Sequence, residues 1–434
     1  MFTHFLYSCI VNMSIYTMLN KLLNKSTLAF NIWAAVAAFI TYFSMYAFRK
    51  PFTAATFQGL DIWDIDYKII LIIAQVLGYM LSKFTGVKLI AELKPGKRMA
   101  FLLLLIAIAE GALLLFGLTP YPYNFIWLFI NGLPLGMVWG IVFSYLEGRK
   151  FTELLGAALS ASFIVSSGAV KSTGRWLILD FNVTDFWMPF YTGLIYLPFL
   201  LLGAWMLAKI PAPTAEDIAL RSARKPMLKK DRKAFFKKYG PGLILLIVTY
   251  MAMTAYRDFR DNFAVEIWQG LGFTGTPEVL TLSELPIAIS TLIIVSLLVV
   301  VKNNRRALQI NYLAIIIGGL ITAGSTLMLQ LELISPMSWM VSIGFGLYLG
   351  YIMYNTMLFD RLIAYLNEHA NVGFLIYLAD SFGYLGSVGL LLYKNFGAPS
   401  INWLPFSIYL SYGFAIASVI PVIFCWFYFN KQKV

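Results

Sequence analysis

The stretch Phe101–Leu118, FLLLLIAIAEGALLLFGL, holds one charged residue, Glu110, in an otherwise apolar run. A helix needs about 20 apolar residues to cross a bilayer, whereas a barrel strand needs about ten of alternating polarity. No alternation occurs here, nor in a second long run, Leu282–Val301. Lipid offers no hydrogen bonds, so a spanning segment must pair its own backbone as a helix or a closed barrel. Both runs therefore predict membrane-spanning helices.

The composition agrees. Of 434 residues, 60% are hydrophobic and 12% charged, and the mean hydropathy is +0.75. A soluble domain carries about 25% charged residues, so most of the outer surface must face lipid. Cys9 and Cys425 lie in separate apolar segments and imply no disulfide. The histidines are His4 and His369, both outside the spans, which excludes a histidine-rich metal centre. No Gly-Lys-Ser/Thr loop points to ATP. Neither a cofactor nor a catalytic residue is expected, and the chain does not read as an enzyme. The net charge of +12 gathers between Lys209 and Lys238. Basic clusters beside spans fix orientation and touch anionic lipid heads. The expected partners are the bilayer and a small anionic solute, not nucleic acid.

Spans are read near 29–48, 67–84, 99–118, 124–146, 152–174, 186–208, 241–264, 282–301, 307–330, 336–358, 370–393 and 403–429. The fold class is thus an all-α membrane protein of twelve transmembrane helices in two six-helix halves. Residues 1–26 form an N-terminal cytoplasmic extension, 27–209 one bundle, 210–239 a basic linker and 240–434 the other bundle. Both termini then share a side, and that side collects 25 of the 33 Lys and Arg residues. The asymmetry places termini and linker in the cytoplasm, here of a bacterial inner membrane, and a monomer is expected. Residues 1–20 carry no positive charge ahead of their apolar stretch and make a poor signal peptide. A true start at Met13 or Met18 and a functional interfacial helix fit that stretch equally.

The halves echo each other. Gly132-Leu-Pro-Leu-Gly136 recurs as Gly346-Leu-Tyr-Leu-Gly350, 214 positions later. Ser166 and Gly168 find Ser381 and Gly383 at an offset of 215. Glycine at i and i+4 lets helices approach closely, and two matches at nearly one offset argue for duplication. A six-plus-six repeat with a basic linker resembles the plan of a major facilitator transporter, which rocks its halves around a midplane site.

Ionisable residues inside spans cost about 2.5–3.5 kcal/mol each at the bilayer centre, so they should face a wet cavity or a partner. Arg49 and Lys50 end the first span about 100° apart on a helix, which places Arg49 inside and Lys50 toward the outer rim. Arg257 and Arg260 share a face of the seventh span at i, i+3. A guanidinium binds phosphate or carboxylate through two parallel bonds, which lysine cannot do. One arginine from each half would let an anion bridge the halves. In the plainer alternative, Arg257 pairs with Asp261 and Arg49 snorkels to the interface.

Tyr46-Ala-Phe-Arg49-Lys50-Pro-Phe52 resembles the first-span motif of the organophosphate:phosphate antiporters, the glycerol-3-phosphate and hexose-phosphate carriers. Gly78-Tyr79-Met-Leu-Ser82-Lys83-Phe84, Gly136-Met-Val-Trp139 and Phe382-Gly383-Tyr384-Leu385-Gly386 look like further segments of that family in the same order. The resemblance implies that Arg49 and Arg257 hold a phosphate group and that Lys83 adds a cation. In the plainer alternative, Lys83 belongs to a cytoplasmic basic loop with Lys88, Lys94, Lys97 and Arg98. The chain departs from the family where span 5 lacks a histidine, where Lys171 and Arg175 follow, and where Asp380 replaces a small residue. Lys171 either contacts the substrate or neutralises Asp261 or Asp380. Asp380 and Glu110 are candidates for proton coupling. Trp139, Tyr354 and Asn355 lie on spans that line the cavity in this fold, where they either meet the organic part of a substrate or pack helices.

The function expected is secondary active transport of small organic anions, with phosphate esters exchanged for phosphate as one form. The alternatives are a sugar-phosphate sensor on the same scaffold and a proton-coupled carboxylate or sugar-acid symporter. A membrane enzyme would want paired surface carboxylates, and Asp61, Asp64 and Asp66 read more simply as a solvated loop.

Overall fold

The computed structural model describes residues 22–23, 25–91, 93–146, 152–212, 229–368 and 372–432. The readings placed on residues 1–20, on His369, and on Arg221, Arg224 and Lys225 of the linker lie outside these. Among the described residues the chain is helical apart from turns and one two-stranded hairpin. Its helices are α1 (Thr27–Met45), α2 (Tyr67–Ala91), α3 (Arg98–Leu118), α4 (Phe125–Leu146), α5 (Thr152–Phe181), α6 (Met188–Ala208) and α7 (Lys229–Asn262). They continue with the short α8 (Ala264–Gly270) and α9 (Val279–Leu282), then α10 (Glu284–Val299), α11 (Asn304–Gln330) and α12 (Pro336–Met353). Last come α13 (Phe359–Leu366), α14 (Val372–Leu392) and α15 (Trp403–Lys431). The hairpin pairs β1 (Asp61–Ile62) antiparallel to β2 (Ile65–Asp66) ahead of α2.

Among the described residues, ten helical stretches are long and apolar enough to cross a membrane. Local chemistry sets several of their ends. Ser26 caps α1 by accepting from the Ala29 N–H, and Asn303 caps α11 by accepting from Arg306. Ser335 caps α12 just before Pro336, whose missing N–H is harmless at a first helical position. The side-chain distribution is inverted relative to a soluble protein. Leu104, Phe199, Ile293, Leu320 and Phe427 are exposed, while Lys68, Lys171, Asn131 and Asn311 are buried. The protein is a multi-pass membrane protein.

Several boundaries differ from the sequence reading: α2 and α5 each run seven residues past the ends read at 84 and 174, and three others bear on the site. Residues 229–239, assigned to the linker, open α7, because once Lys and Asp side chains are solvated nothing prevents a helix from continuing into water. The first span does not stay α-helical to residue 48; it tightens into a 3₁₀ turn at Tyr46–Phe48. The tenth span runs past 358, through a π-helical turn at Tyr354–Leu358 into α13.

The glycine motifs mark close helix contacts. A Cβ on Gly132 of α4 would overlap the Gln75 carbonyl of α2, and one on Gly346 of α12 would overlap the Gly318 carbonyl of α11. Gly168 packs on the Leu280 carbonyl, whereas Gly383 packs on Thr254. Gly132, Gly168 and Gly346 thus each admit a neighbouring backbone, whereas Gly383 admits a side chain. Gly132→Leu is expected to lower stability by about 1–3 kcal/mol or more, since the overlap is with backbone and cannot be relieved by a rotamer change. Thermal unfolding in detergent would read it, with the unpacked Gly111 as the control position.

Candidate binding site

The first span delivers its cations through a break in the helix. After the 3₁₀ turn, Arg49 and Lys50 adopt φ of −115° and −104°, and Pro51 starts a second 3₁₀ turn over Pro51–Ala54. Polar side chains hold this break in place. Gln75 donates to the Arg49 carbonyl at 2.8 Å and to Asn131 at 2.8 Å, and Asn131 donates to the carbonyls of Phe48 and Ala109.

Because the backbone is not helical here, the 100° separation expected of Arg49 and Lys50 does not apply, and both are buried. Lys50 does not reach the outer rim. It pairs with Asp261 at 2.5 Å and donates to the Asn262 amide oxygen at 2.7 Å.

The Arg49 guanidinium carbon lies over the Tyr79 ring at 3.9 Å from its centre, with the Tyr46 ring at 5.8 Å. Among the described residues no carboxylate stands within ion-pair distance of it, and its Nε is buried without a partner. Cation–π contact offsets part of the burial cost of such a charge, yet leaves the in-plane N–H groups to seek an acceptor.

Arg257 is placed differently. Its Nε and Nη2 form a fork on Asp258 at 3.1 and 2.7 Å, and its Nη1 donates to the Tyr351 hydroxyl. The second Asp258 oxygen accepts from Ser387 at 2.7 Å. Arg257 therefore pairs with its sequence neighbour and not with Asp261, and its fork is already occupied.

Arg260 does not join Arg257. It turns toward α10, where it pairs with Glu284 at 2.8 Å and donates to the Met340 carbonyl at 3.0 Å, in space left by Gly344. The i, i+3 pairing fails because each guanidinium follows its own carboxylate.

Lys171 pairs with Asp261. It contacts Asp261 through both the carboxylate and the backbone carbonyl at 2.7 Å, and Ser167 donates to the same carboxylate. Lys83 pairs with Asp380 at 2.9 Å, and Tyr250 donates to Asp380 at 2.6 Å. Lys83 is thus drawn out of the basic loop, and Asp380 is its counterion. Tyr79 stands between the cations, with Lys83 at 5.5 Å from its ring and Tyr384 edge-on at 5.6 Å. Tyr46, Tyr79 and Tyr384 lie within electrostatic reach of both Arg49 and Arg257. Within this cluster five cations (Arg49, Lys50, Lys83, Lys171 and Arg257) face three carboxylates (Asp258, Asp261 and Asp380).

The other expected site residues lie off this cluster. Tyr354 is fully buried and donates to the Leu246 carbonyl at 3.1 Å, and Trp139 stacks on Phe143 at 4.8 Å. Asn355 donates to the Tyr351 carbonyl and accepts from Tyr250 at 3.4 Å, so it touches only the edge of the group. Glu110 sits on α3 against Gly193 of α6.

Sequence reading missed Asp258, the tyrosines around Arg49, and a buried pair between Lys68 and Glu266. Adjacency in Arg257-Asp258 was the available signal for the first. Tyr46, Tyr79 and Tyr384 stand inside the quoted motif segments, but nothing local marks that these three of 25 tyrosines converge. Asp66, read as a solvated loop acid, caps α2 by accepting from the N–H groups of Lys68 and Ile69.

A model of a protein family described as a family of unknown function, DUF5690, matches residues 51–432. The chain belongs to this family. No curated protein matches the sequence. Among solved structures, the DUF5690 chain is similar to a D-xylose–proton symporter, with a TM-score of 0.61 and 14% identity. That similarity covers 93% of this chain and 98% of the other. At such low identity the similarity speaks to fold alone: the two chains share one helical architecture along nearly their whole lengths.

Proposed function

We propose that this protein is a secondary carrier of a small organic anion, built as two six-helix bundles that rock about a shared site. One observation supports it above the others. Arg49 is a buried guanidinium that no described carboxylate neutralises. A buried unpaired charge is strongly destabilising, and a bound anion would supply the missing counterion. Two surplus positive charges in the surrounding cluster favour the same ligand class.

The clamp is unequal on this reading. Arg49 captures the anion through its open N–H edge while Tyr79 holds its face. Arg257, already forked on Asp258, contributes field more than contact. Phosphate esters exchanged for phosphate are the finer reading and rest on the motif resemblance; a carboxylate fits one open fork equally well. The distribution of Lys and Arg supports cytoplasmic termini, and a bacterial inner membrane rests on the motif resemblance.

The test is thermal unfolding of purified protein with carboxylated, phosphorylated and neutral sugars. A ligand present at 100 times its Kd adds about 2.7 kcal/mol of stability. Anions alone are expected to stabilise. Stabilisation by neutral sugars with no response to anions overturns the proposal. Uptake of a stabilising anion into proteoliposomes separates a carrier from a sensor, which would bind without flux.

A further inference from the structure

Glu110 stands apart from every cluster described so far. It lies at the middle of α3, and both of its carboxyl oxygens are covered and, among the described residues, have no hydrogen-bond partner. The carboxyl fits into α6 at Gly193, where an added Cβ would overlap Oε2. The elements packed on α3 are α4, α6, the turn Tyr46–Phe48 and the turn Pro95–Lys97. Between them α4, α6 and the turn Tyr46–Phe48 contain no Asp, Glu, Lys, Arg or His. Their titratable groups are the phenols of Tyr46, Tyr145, Tyr191 and Tyr196, and no hydrogen bond joins any of these to Glu110. Lys97 and Arg98 lie at the far end of α3, about 18–20 Å away at 1.5 Å per residue.

An ionised carboxylate in such a place has neither a counterion nor donors, and lipid supplies neither. A protonated carboxyl, by contrast, tolerates the contact and fills the space that Gly193 leaves.

We infer that Glu110 is a proton-binding site, separate from the cationic cluster, that carries its proton inside the α3–α6 contact. On the carrier reading, on which this second part rests, a proton held at Glu110 accompanies the anion and reduces the net charge moved per cycle.

Two measurements test the two parts separately. Infrared spectra of the full chain in lipid vesicles without solute would read the carbonyl stretch of protonated carboxyl groups. An ordinary Glu titrates near about 4.3, so at about pH 7 a Glu110 signal should stand out and should be missing from Glu110→Gln. Gly193→Ala should shift that band by displacing the carboxyl, which keeps the test readable if one variant folds poorly. Identical spectra in wild type and Glu110→Gln overturn the proton site, whatever the protein transports.

The second measurement imposes a gradient of one pH unit on vesicles supplied with an anion that stabilises the protein. One proton per anion then drives about tenfold accumulation. Wild type should show it and Glu110→Gln should lose it. Retained accumulation in the variant, or none in wild type, overturns the coupling and leaves the infrared result to stand alone.

Discussion

Replacing Arg49 with lysine is expected to weaken anion binding by about 30- to 150-fold while the fold survives. The positive charge stays, so simple electrostatics would predict little change. Geometry predicts otherwise. The guanidinium carbon lies 3.9 Å from the centre of the Tyr79 ring, and the buried Nε has no partner among the described residues. An ammonium has no plane to stack and no fork to offer. Losing a charge-assisted fork is worth about 2–3 kcal/mol, which gives the stated factor. Calorimetric titration with whichever anion stabilises the protein would measure it. Arg257→Lys should cost less, since Asp258 already occupies that fork. Equal losses at the two positions, or no loss at Arg49, would remove the assignment of Arg49 as the anion receptor.

Asp261→Asn should destabilise the protein by about 3–5 kcal/mol, the range for breaking a buried ion pair by removing one partner. Asp261 is shared by Lys50 at 2.5 Å and Lys171 at 2.7 Å, and both lysines are buried. The three residues come from the turn after α1, from α5 and from the end of α7. The substitution therefore frees two buried ammonium groups at once. Thermal unfolding should show a large drop. Adding Lys171→Met should recover part of it, because one stranded charge is then replaced by an apolar chain of similar length. If the double variant is less stable than Asp261→Asn alone, the carboxylate is not acting as the lysines' counterion.

These two predictions depend on information of different kinds. Arg49 stood out in the sequence because a cation after a long apolar run is costly and so calls for a reason. The convergence of tyrosines around it did not stand out, because Tyr46, Tyr79 and Tyr384 come together from the 3₁₀ turn after α1, from α2 and from α14. The expectation for Lys50 failed at the helix end. Angular spacing assumes an unbroken helix, and the chain abandons it at Tyr46. Arg257 and Arg260 share a face on paper, yet Asp258 and Glu284 draw them apart.

The sequence by itself determined that this chain crosses a membrane repeatedly as helices, because lipid forbids an unpaired backbone and every long apolar run obeys that rule. It also determined which charges are costly. Only the tertiary structure decided how those charges are matched. Pairing energy depends on distances of a few ångströms between segments that are tens or hundreds of residues apart, such as Lys83 with Asp380. No local pattern encodes those distances, so which cation is left without a partner emerges only once the helices are packed.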